Sequence, residues 1–600
     1  MDHLLPIAVV LALVTHAVFR TYEPSAKTVF ATSAAFYLAV VTQSVWQEGY
    51  TLISACLRAS MLNTVYLATL ALSIAVYRLS PFHPLAAYPG PRLAAQTKWW
   101  MVHRILLKGG RHLELQQCHR RYGHWVRIGP NELSINDPAA IAPIYTKLDR
   151  SNFHKGAPAK GDTMITVTDR QRHLERRRTW TQALSARALE TYGTYAQTRV
   201  FQLLHHMDLD HRAGRTPVNV DRWVNLFFMD LAGDIGFSGG FETMRDGYDK
   251  EGWMEMLGMG VRFVSSMGQV PWMRDIFQLF PQRGPIETFH AFVEAKVKQI
   301  KEEMAKTTRV DIMGTLVRRF SPGFVDDPYD IQLDEASGAA SLSNDEAVAD
   351  AGLIIVGATD TSVQTVLTTL RYLATDPYRQ RKLQHEIDAV FGMDHKDKVS
   401  VDIAELSRLP YLNACVNESF RILPPGPFGP PRTTGKEGAL ILGQWVPPNT
   451  TVHVPVYTMH RDPANFGTLA DVFIPERWLS EADQVEMISA TKDPRISLAA
   501  LTPCNRQAFM PFSAGYANCV GRALGLQNVK LTVAAIVHHY EITPEIGFDA
   551  AKYDSSFKVR SSVARLATAN NTLTWKKEYG LWTHDTLRLK LATRAVSGQA

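Results

Sequence analysis

The chain has 600 residues, of which 46% are apolar and 20% are charged, so most of it can fold around a large core. Lys and Arg total 64 against 58 Asp and Glu, a formal charge of +6 that is small for this length. This balance argues against a nucleic-acid-binding protein. The five cysteines are scattered and include no CxxC pair, which argues against a disulfide framework and a structural zinc site.

The N-terminal eighty residues contain three apolar runs, at 4–19, 28–45 and 61–77. Each run is near the lower limit of about 17–25 residues for a membrane-spanning helix. No basic residue precedes the first run, which argues against a cleaved signal peptide. Basic residues in the first loop and after residue 78 place both on the cytosolic side. We expect a membrane anchor over residues 1–80 with up to three transmembrane helices; one or two spans are also compatible with the pattern.

Residues 81–92 contain four prolines, which forbid a continuous helix and favour an extended linker. Helical patterning dominates the remaining part of the chain, residues 93–600, which we expect to form one large globular domain. Short β-like stretches interrupt it at 124–129, 132–136, 439–443, 451–456, 573–577 and 587–591. The pattern predicts a mainly α fold with small peripheral β-sheets.

A single cysteine in the segment FSAGYANCVG, residues 512–521, precedes a strong amphipathic run. Backbone N–H groups at a helix start favour an anion, so we expect them to lower the pKa of Cys519 and keep it a thiolate. Gly515 permits a tight turn, and Gly521 allows a flat ligand to approach the backbone. For a lone cysteine, a buried structural role would be the alternative.

This segment resembles the cysteine-loop signature of the cytochrome P-450 superfamily, F-x-x-G-x-x-x-C-x-G, at Phe512, Gly515, Cys519 and Gly521. The resemblance implies that Cys519 is the axial thiolate ligand of a haem b iron and that the other three residues shape its binding loop. One position departs from the pattern. The family usually has a basic residue two positions before the cysteine, and here it is Ala517.

An apolar helix predicted over residues 345–377 carries Asp360 and Thr361 in its middle. An acid within an apolar helix is costly unless it has a function or a partner. The pattern resembles the central helix of the same superfamily, (A/G)-G-x-(D/E)-T, with Ala358 in place of the usual second glycine. The resemblance implies that Asp360 relays protons and that Thr361 positions oxygen; a helix kink with a satisfied polar pair is the alternative.

Two charged motifs complete the resemblance on the structural side. Glu418 and Arg421 are three residues apart and share one helix face. The later segment Pro475-Glu476-Arg477-Trp478 resembles the family's P-E-R-F/W motif. By this resemblance, Glu418, Arg421 and Arg477 form a structural charge network behind the cysteine loop.

The charged segment 169–180 resembles a helix in which the family has two residues that reach a haem propionate, and His173 and Arg177 fit these positions. Arg432, in a proline-rich segment, is a further candidate partner of a propionate, although an exposed turn arginine is nearly as compatible. The remaining arginines could form a basic face for an acidic electron-transfer partner: Arg172, Arg176 and Arg178.

The resemblance covers roughly residues 85–595 with its motifs in the family order. It implies a monooxygenase that inserts one oxygen atom into a lipophilic small molecule, with NADPH electrons from a membrane-bound cytochrome P-450 reductase. A location in the endoplasmic reticulum membrane with a cytosolic catalytic domain follows, and some phrases resemble fungal members active in secondary metabolism. Two alternatives stay open: a haem isomerase or dehydratase that needs no reductase, and a haem sensor or carrier without turnover.

Overall fold

The computed structural model describes residues 4–594 except 23–25, 109, 157–160, 255, 257–263, 278–284, 304–310, 320–341, 392–400, 492–494 and 557–585. Three helices form the N-terminal part: α1 (Leu4–Thr21), α2 (Ala26–Trp46) and α3 (Leu52–Leu79). They pack together through small and branched side chains, namely Ala8, Val40, Ala59 and Leu62.

Two of these helices are long and apolar enough to cross a membrane, at Lys27–Trp46 and Leu52–Leu79, and each buries only 11% of its most apolar window. Helix α1 is equally apolar but shorter. It is tied to α3 by a hydrogen bond from the Tyr66 hydroxyl to Thr15 Oγ1 at 3.0 Å. The apolar side chains that α2 and α3 leave exposed would be in a favourable environment in lipid, which agrees with the expected membrane anchor.

The segment after α3 is not the extended linker that the prolines suggested. Three successive turns form, because the N–H groups of His83, Ala86 and Tyr88 each donate to the carbonyl three residues before. Leu85 is buried against the domain that follows, and Arg127 of that domain donates to the carbonyl of Arg78 at the end of α3 at 3.1 Å. Burial of Leu85 draws the segment onto the domain, which explains why an extended course was the wrong prediction.

The domain that follows is mainly helical, as the sequence predicted. Its longer helices are α4 (Arg111–Tyr122), α5 (Arg170–Ala183), α6 (Ala186–Arg212), α7 (Val220–Phe237), α8 (Pro285–Glu303), α9 (Asn344–Ala358), α10 (Asp360–Ala374), α11 (Pro377–Phe391), α12 (Pro410–Ile422), α13 (Glu481–Thr491) and α14 (Arg522–His539). Shorter helices are Arg92–Gln96, Trp99–His103, Ile141–Lys147, Thr243–Asp246, Met273–Phe277, Ile312–Arg319, Ile403–Arg408, Val456–His460, Pro463–Phe466, Leu498–Leu501 and Ala550–Ser556.

Three small sheets lie beside the helices. The strands are β1 (Trp125–Gly129), β2 (Glu132–Ile135), β3 (Asp149–Arg150), β4 (Val218–Asn219), β5 (Arg432–Thr433), β6 (Ala439–Ile441), β7 (Gln444–Val446), β8 (Thr451–His453), β9 (Tyr540–Pro544) and β10 (Arg588–Thr593). They are ordered β1-β2-β8-β5-β3, β4-β10-β9 and β6-β7, and among the strands of the described residues only β2 and β8 pair in parallel. Five of the six predicted stretches contain a strand, and 573–577 lies outside the described residues.

The predicted helix over 345–377 is two helices, α9 and α10, because Thr359, at φ −86° and ψ −78°, departs from regular α-helical angles although it stays in the right-handed region. The combined segment Asn344–Ala374 is apolar enough to cross a membrane, but 67% of its most apolar window is buried inside the protein. It therefore forms part of the core. Helix α10 packs on α7, α12 and α14, so the Asp360–Thr361 pair and the helix after Cys519 belong to one packed unit.

Candidate functional site

The segment before α14 is a tight loop that presents Cys519 at its end. The N–H of Cys519 donates to the carbonyl of Phe512 at 2.9 Å, which closes the loop on itself. Gly515 has φ +70°, and a side chain there would overlap the carbonyl oxygen of Tyr145. At Gly521 an added Cβ would meet only the Cys519 sulfur at 4.0 Å. Space therefore requires a glycine at position 515, whereas the backbone at Gly521 is open on the side that faces the sulfur.

Cys519 is the exposed cysteine among the five, all of which are described. Although its sulfur is accessible, the protein packed around the loop raises the pKa of the thiol; the Gly521 N–H and the charges of Arg177 and Arg522 oppose this shift. The expected lowering of its pKa by the helix start is therefore present but outweighed by desolvation. Coordination to a metal deprotonates a thiol outright, so this result leaves Cys519 suited to be a ligand.

Thr361 and Asp360 lie at the junction of α9 and α10. The Thr361 hydroxyl donates to the carbonyl of Gly357 at 3.0 Å, and the Thr359 hydroxyl donates to Ile355 at 2.8 Å. Such bonds back to a helix carbonyl bend helices. A kink with satisfied threonine hydroxyls is therefore present. Asp360 and Thr361 remain partly exposed at this kink. The geometry is therefore compatible with both interpretations of the motif, a kink with a satisfied polar pair and a pair that handles protons and oxygen.

Two buried arginines lie directly opposite each other in the five-stranded sheet. Arg150 of β3 pairs with Arg432 of β5, and their exposed fractions are 7% and 1%. Like charges at opposed positions destabilise a sheet unless something compensates. Burial and the charge of Arg432 lower the pKa of Arg150 to about 10, and Nη1 of Arg150 donates to the carbonyls of Met164 and Ile165 at 2.7 and 2.6 Å.

Arg432 differs from its neighbour because its Nε, Nη1 and Nη2 are all buried and have no hydrogen-bond partner among the described residues. Its guanidinium faces the rings of Tyr145 and Tyr516 at 5.1 and 5.7 Å. A buried cation without hydrogen-bond partners costs free energy, so the surroundings of Arg432 favour the binding of an anionic ligand. Sequence reasoning singled out Arg432 but missed Arg150, because the only signal for it is its strand pairing with a distant segment.

The two candidates on α5 both reach the cysteine loop. Arg177 Nη1 donates to the carbonyl of Asn518 at 2.6 Å, and its Nη2 contacts the side chain of the same residue. The His173 ring meets Tyr516 edge-on at 5.8 Å. Burial and the charge of Arg150 lower the pKa of His173 to about 3. Since Nδ1 contacts the Met164 carbonyl at 3.1 Å, Nε2 could donate only from the imidazolium form, which a neighbouring carboxylate would favour.

The three arginines of α5 that were expected to form a basic face differ in their surroundings. Arg176 is buried, donates to Asp350 at 2.5 Å and lies 3.5 Å from Glu346, and Arg172 also pairs with Glu346. These acids belong to α9, so both arginines connect helices; Arg176 is thereby removed from the surface, whereas the Arg172 side chain stays 55% exposed. Arg178 alone of the three is exposed without such an ion pair among the described residues.

Glu418, Arg421 and Arg477 form the charge network that the motifs predicted, and all three are buried. Arg421 donates to both Glu418 oxygens at 2.7 and 2.8 Å, and Arg477 donates at 3.0 Å. The Ile474 N–H and Trp478 Nε1 complete the set at 2.7 and 2.9 Å. Burial alone would raise the pKa of Glu418, but the two arginines and these donors lower it to about 2.

His460 connects this network to the cysteine loop. Its carbonyl accepts a hydrogen bond from Arg421 Nη1 at 2.8 Å, and its Nε2 accepts from the N–H of Met510 at 3.1 Å. Met510 lies just before the loop, where its carbonyl accepts from Ser513 at 3.0 Å. In addition, Phe420 of α12 packs edge-on against Phe512 at 5.0 Å. A shift in the network would therefore move the loop.

An accessible cysteine on a closed loop, a nearby surplus of buried positive charge and a kinked acid–alcohol helix define a haem-thiolate enzyme. The family model of cytochrome P-450 matches residues 91–557, and the chain belongs to this family. Its homologues are named as monooxygenases, and the chain is an oxidoreductase of that class.

Among similar fungal proteins is the cytochrome P-450 monooxygenase FCK2 of Fusarium pseudograminearum, 30% identical over 84% of each chain. Cytochrome P-450 67 of Uromyces fabae is 28% identical over 92% of this chain and 95% of its own. The tryprostatin B 6-hydroxylase of Neosartorya fischeri is 28% identical over 82% and 83%.

The residues present fit the haem that this family implies. A haem has two carboxylates, and the unpartnered nitrogens of Arg432, with Arg150 opposite, supply the cationic donors that such groups need. The sulfur of Cys519 is a ligand for iron, and the space beside it at Gly521 leaves room for a flat ring. Cys519 would hold the metal, and Arg432, Arg150, His173 and Arg177 lie where carboxylates could be bound.

The first test concerns the pH dependence of the network. The lowered pKa of Glu418 means that its carboxylate stabilises the fold above the unfolded value of 4.5, and that this contribution is lost as pH falls toward about 2. At neutral pH, Glu418→Gln is expected to destabilise the protein by about 3 kcal/mol, since it leaves two buried arginines without their anion. The measurement is the urea midpoint of unfolding at a series of pH values.

The difference between wild type and Glu418→Gln should shrink as pH falls from 4.5, because protonation removes the same charge in the wild type. Glu437→Gln, at an exposed turn, is the matched control and should change little at any pH. A gap that stays constant down to the acid limit would contradict the ionised state assigned to Glu418.

Proposed function

We propose that this protein binds haem b through Cys519 and inserts one oxygen atom from dioxygen into a lipophilic substrate. The second oxygen atom leaves as water, and NADPH supplies the two electrons through a reductase. The observation that carries the proposal is the accessible Cys519 sulfur next to a buried cluster of arginines whose charge is unbalanced. When bound, the haem supplies a thiolate-ligated iron that favours cleavage of the O–O bond. Phe512, Gly515 and Gly521 hold the loop that presents the sulfur.

Two residues at the helix kink are proposed to handle the protons that dioxygen reduction consumes. Asp360 begins α10, and its carboxyl is partly exposed at the kink. The Thr361 hydroxyl is a donor and an acceptor, and its one proton is held by the Gly357 carbonyl. We assign to Asp360 the transfer of protons from the surrounding protein and to Thr361 the positioning of oxygen.

The substrate is proposed to be a lipophilic small molecule of secondary metabolism, such as a terpenoid, sterol or fatty-acid-like compound. Support comes from the N-terminal helices, which would keep the domain at a membrane where such compounds concentrate. The printed name of one relative assigns it hydroxylation of tryprostatin B. Segments proposed to line the pocket are residues 151–167, the helix face around Ile354 and Thr361, the turn at 427–430 and the tip at 580–582. Of these, residues 157–160 and 580–582 lie outside the described residues.

Electrons are proposed to come from NADPH through a membrane-bound cytochrome P-450 reductase. The family in general uses a redox partner of this type. Since Arg172 and Arg176 pair with acids of α9, the docking surface for the reductase is proposed to use Arg178 and other exposed cations. Turnover that proceeds without NADPH or reductase would favour the isomerase or dehydratase alternative.

We propose that residues 1–80 anchor the chain in the endoplasmic reticulum membrane, that 81–92 connect the anchor to the domain, and that residues 93–600 form the cytosolic catalytic domain. The basic residues that follow the third helix support a cytosolic position for the domain. The absence of Lys and Arg before the first helix supports a luminal position for the residues that precede it.

Cys519→Ser should abolish the reduced carbon-monoxide difference spectrum that is characteristic of thiolate ligation, because a serine hydroxyl does not replace the sulfur ligand. Cys56→Ser is the matched control, since that cysteine is half-buried in α3 of the N-terminal part, and its spectrum should be unchanged. Retention of the thiolate spectrum in Cys519→Ser, with loss in the control, would assign the ligand elsewhere.

Thr361→Ala should keep the thiolate spectrum but lower the yield of product per NADPH oxidised by at least about tenfold, as expected when a positioned proton donor is lost. Thr365→Ala removes a hydroxyl with the same bond to the carbonyl four residues before and serves as the control. NADPH consumption, hydrogen peroxide and product are measured together with a substrate chosen by its induced spectral shift. Undiminished coupling in Thr361→Ala would remove the role assigned to it.

Protease treatment of intact microsomes should digest the domain after residue 93, while an epitope inserted at residues 47–51, between α2 and α3, should be protected. This outcome follows from the positive-inside rule for a three-span anchor. An epitope in the loop at 22–25 is the control and should be digested. Protection of the catalytic domain would reverse the proposed orientation.

A further inference from the structure

Tyr516 is a half-buried tyrosine of the cysteine loop whose hydroxyl oxygen is itself buried. Its hydroxyl has no hydrogen-bond partner among the described residues. The ring lies 4.2 Å from the guanidinium of Arg170 and 5.7 Å from that of Arg432, and it meets His173 at 5.8 Å. The hydroxyl therefore belongs to the same basic cluster as the groups that could bind haem carboxylates.

Tyr516 and Arg432 do not satisfy each other, although they are neighbours. The hydroxyl of one and all three nitrogens of the other lack a partner within the described part of the chain. Buried donors of this kind are rare in folded proteins, and each costs free energy unless a ligand or water completes it. A carboxylate has two oxygens with about four lone-pair sites, so one such group can accept from both residues.

The loop also departs from its family at the adjacent position. Ala517 stands where a basic residue is usual, so the loop contributes no cation of its own toward a haem carboxylate. We propose that the Tyr516 hydroxyl donates a hydrogen bond to a haem propionate and takes the place of the missing basic side chain. This inference rests on the proposed haem binding and adds to it a ligand contact specific to this chain.

The test is the rate at which haem leaves the intact holoenzyme for an excess of a haem-binding acceptor protein. Tyr516→Phe keeps the ring and removes only the hydroxyl, so the fold and the thiolate spectrum should be retained. Haem loss should be about tenfold faster, the effect of one lost hydrogen bond to a charged group. The double variant Tyr516→Phe/Ala517→Arg should return haem loss toward the wild-type rate.

Tyr145→Phe is the matched control. Its ring lies at a similar distance from Arg432, 5.1 Å, but its hydroxyl already accepts from the Val454 N–H at 3.2 Å. Removal of this hydroxyl should leave haem loss unchanged. Equal acceleration in Tyr145→Phe and Tyr516→Phe would mean a general loosening of the loop and would overturn the inference.

Reconstitution with haem dimethyl ester separates a contact to the carboxylate from any other effect. The ester lacks the negative charge, so the difference between wild type and Tyr516→Phe should largely vanish. A difference that persists with the ester, or no difference with haem itself, overturns the inference. Failure of the underlying proposal is distinct, because the wild type itself would then lack the thiolate spectrum.

Discussion

The position of the candidate site depends on one buried carboxylate. Glu418 is surrounded by two arginines, a backbone N–H and an indole N–H, which together lower its pKa to about 2. Desolvation opposes the attraction within such a network, so its net contribution to stability is far smaller than its Coulomb energy. What the network supplies in addition is position. Arg421 also donates to the carbonyls of Ala470 and Val472, which fixes the chain that leads to the cysteine loop.

The two clusters of buried charge, around Glu418 and around Arg432, differ in whether their charges are balanced. In the Glu418 network every ionised group has complementary partners, and the path continues through His460 to Met510. Beside the cysteine loop, Arg432 has three buried nitrogens without one among the described residues. The unbalanced positive charge at Arg432 indicates a site that an anionic ligand would complete.

Local motifs predicted much of this arrangement from the sequence. The cysteine loop, the Glu418–Arg421 pair and the strands at 124–135 and 451–456 depend on neighbours a few residues away, and the structure has them as expected. Errors arose where the partner is remote. Arg176 was assigned to a surface, but its acid is 174 residues away on α9. Arg150 gave no signal, because its role depends on pairing with β5.

The kink at Thr359 resolves a conflict that the sequence posed. An acid in the middle of an apolar helix is costly, and a continuous helix over 345–377 would have placed Asp360 there. Because the chain breaks at Thr359, Asp360 instead begins α10, where the partial positive charge of a helix start stabilises a carboxylate. The back-bonded hydroxyls of Thr359 and Thr361 favour the bend. The irregular turn therefore leaves the acid and the alcohol partly exposed at the junction of two otherwise well-buried helices, where an ionised carboxyl costs less than in the core.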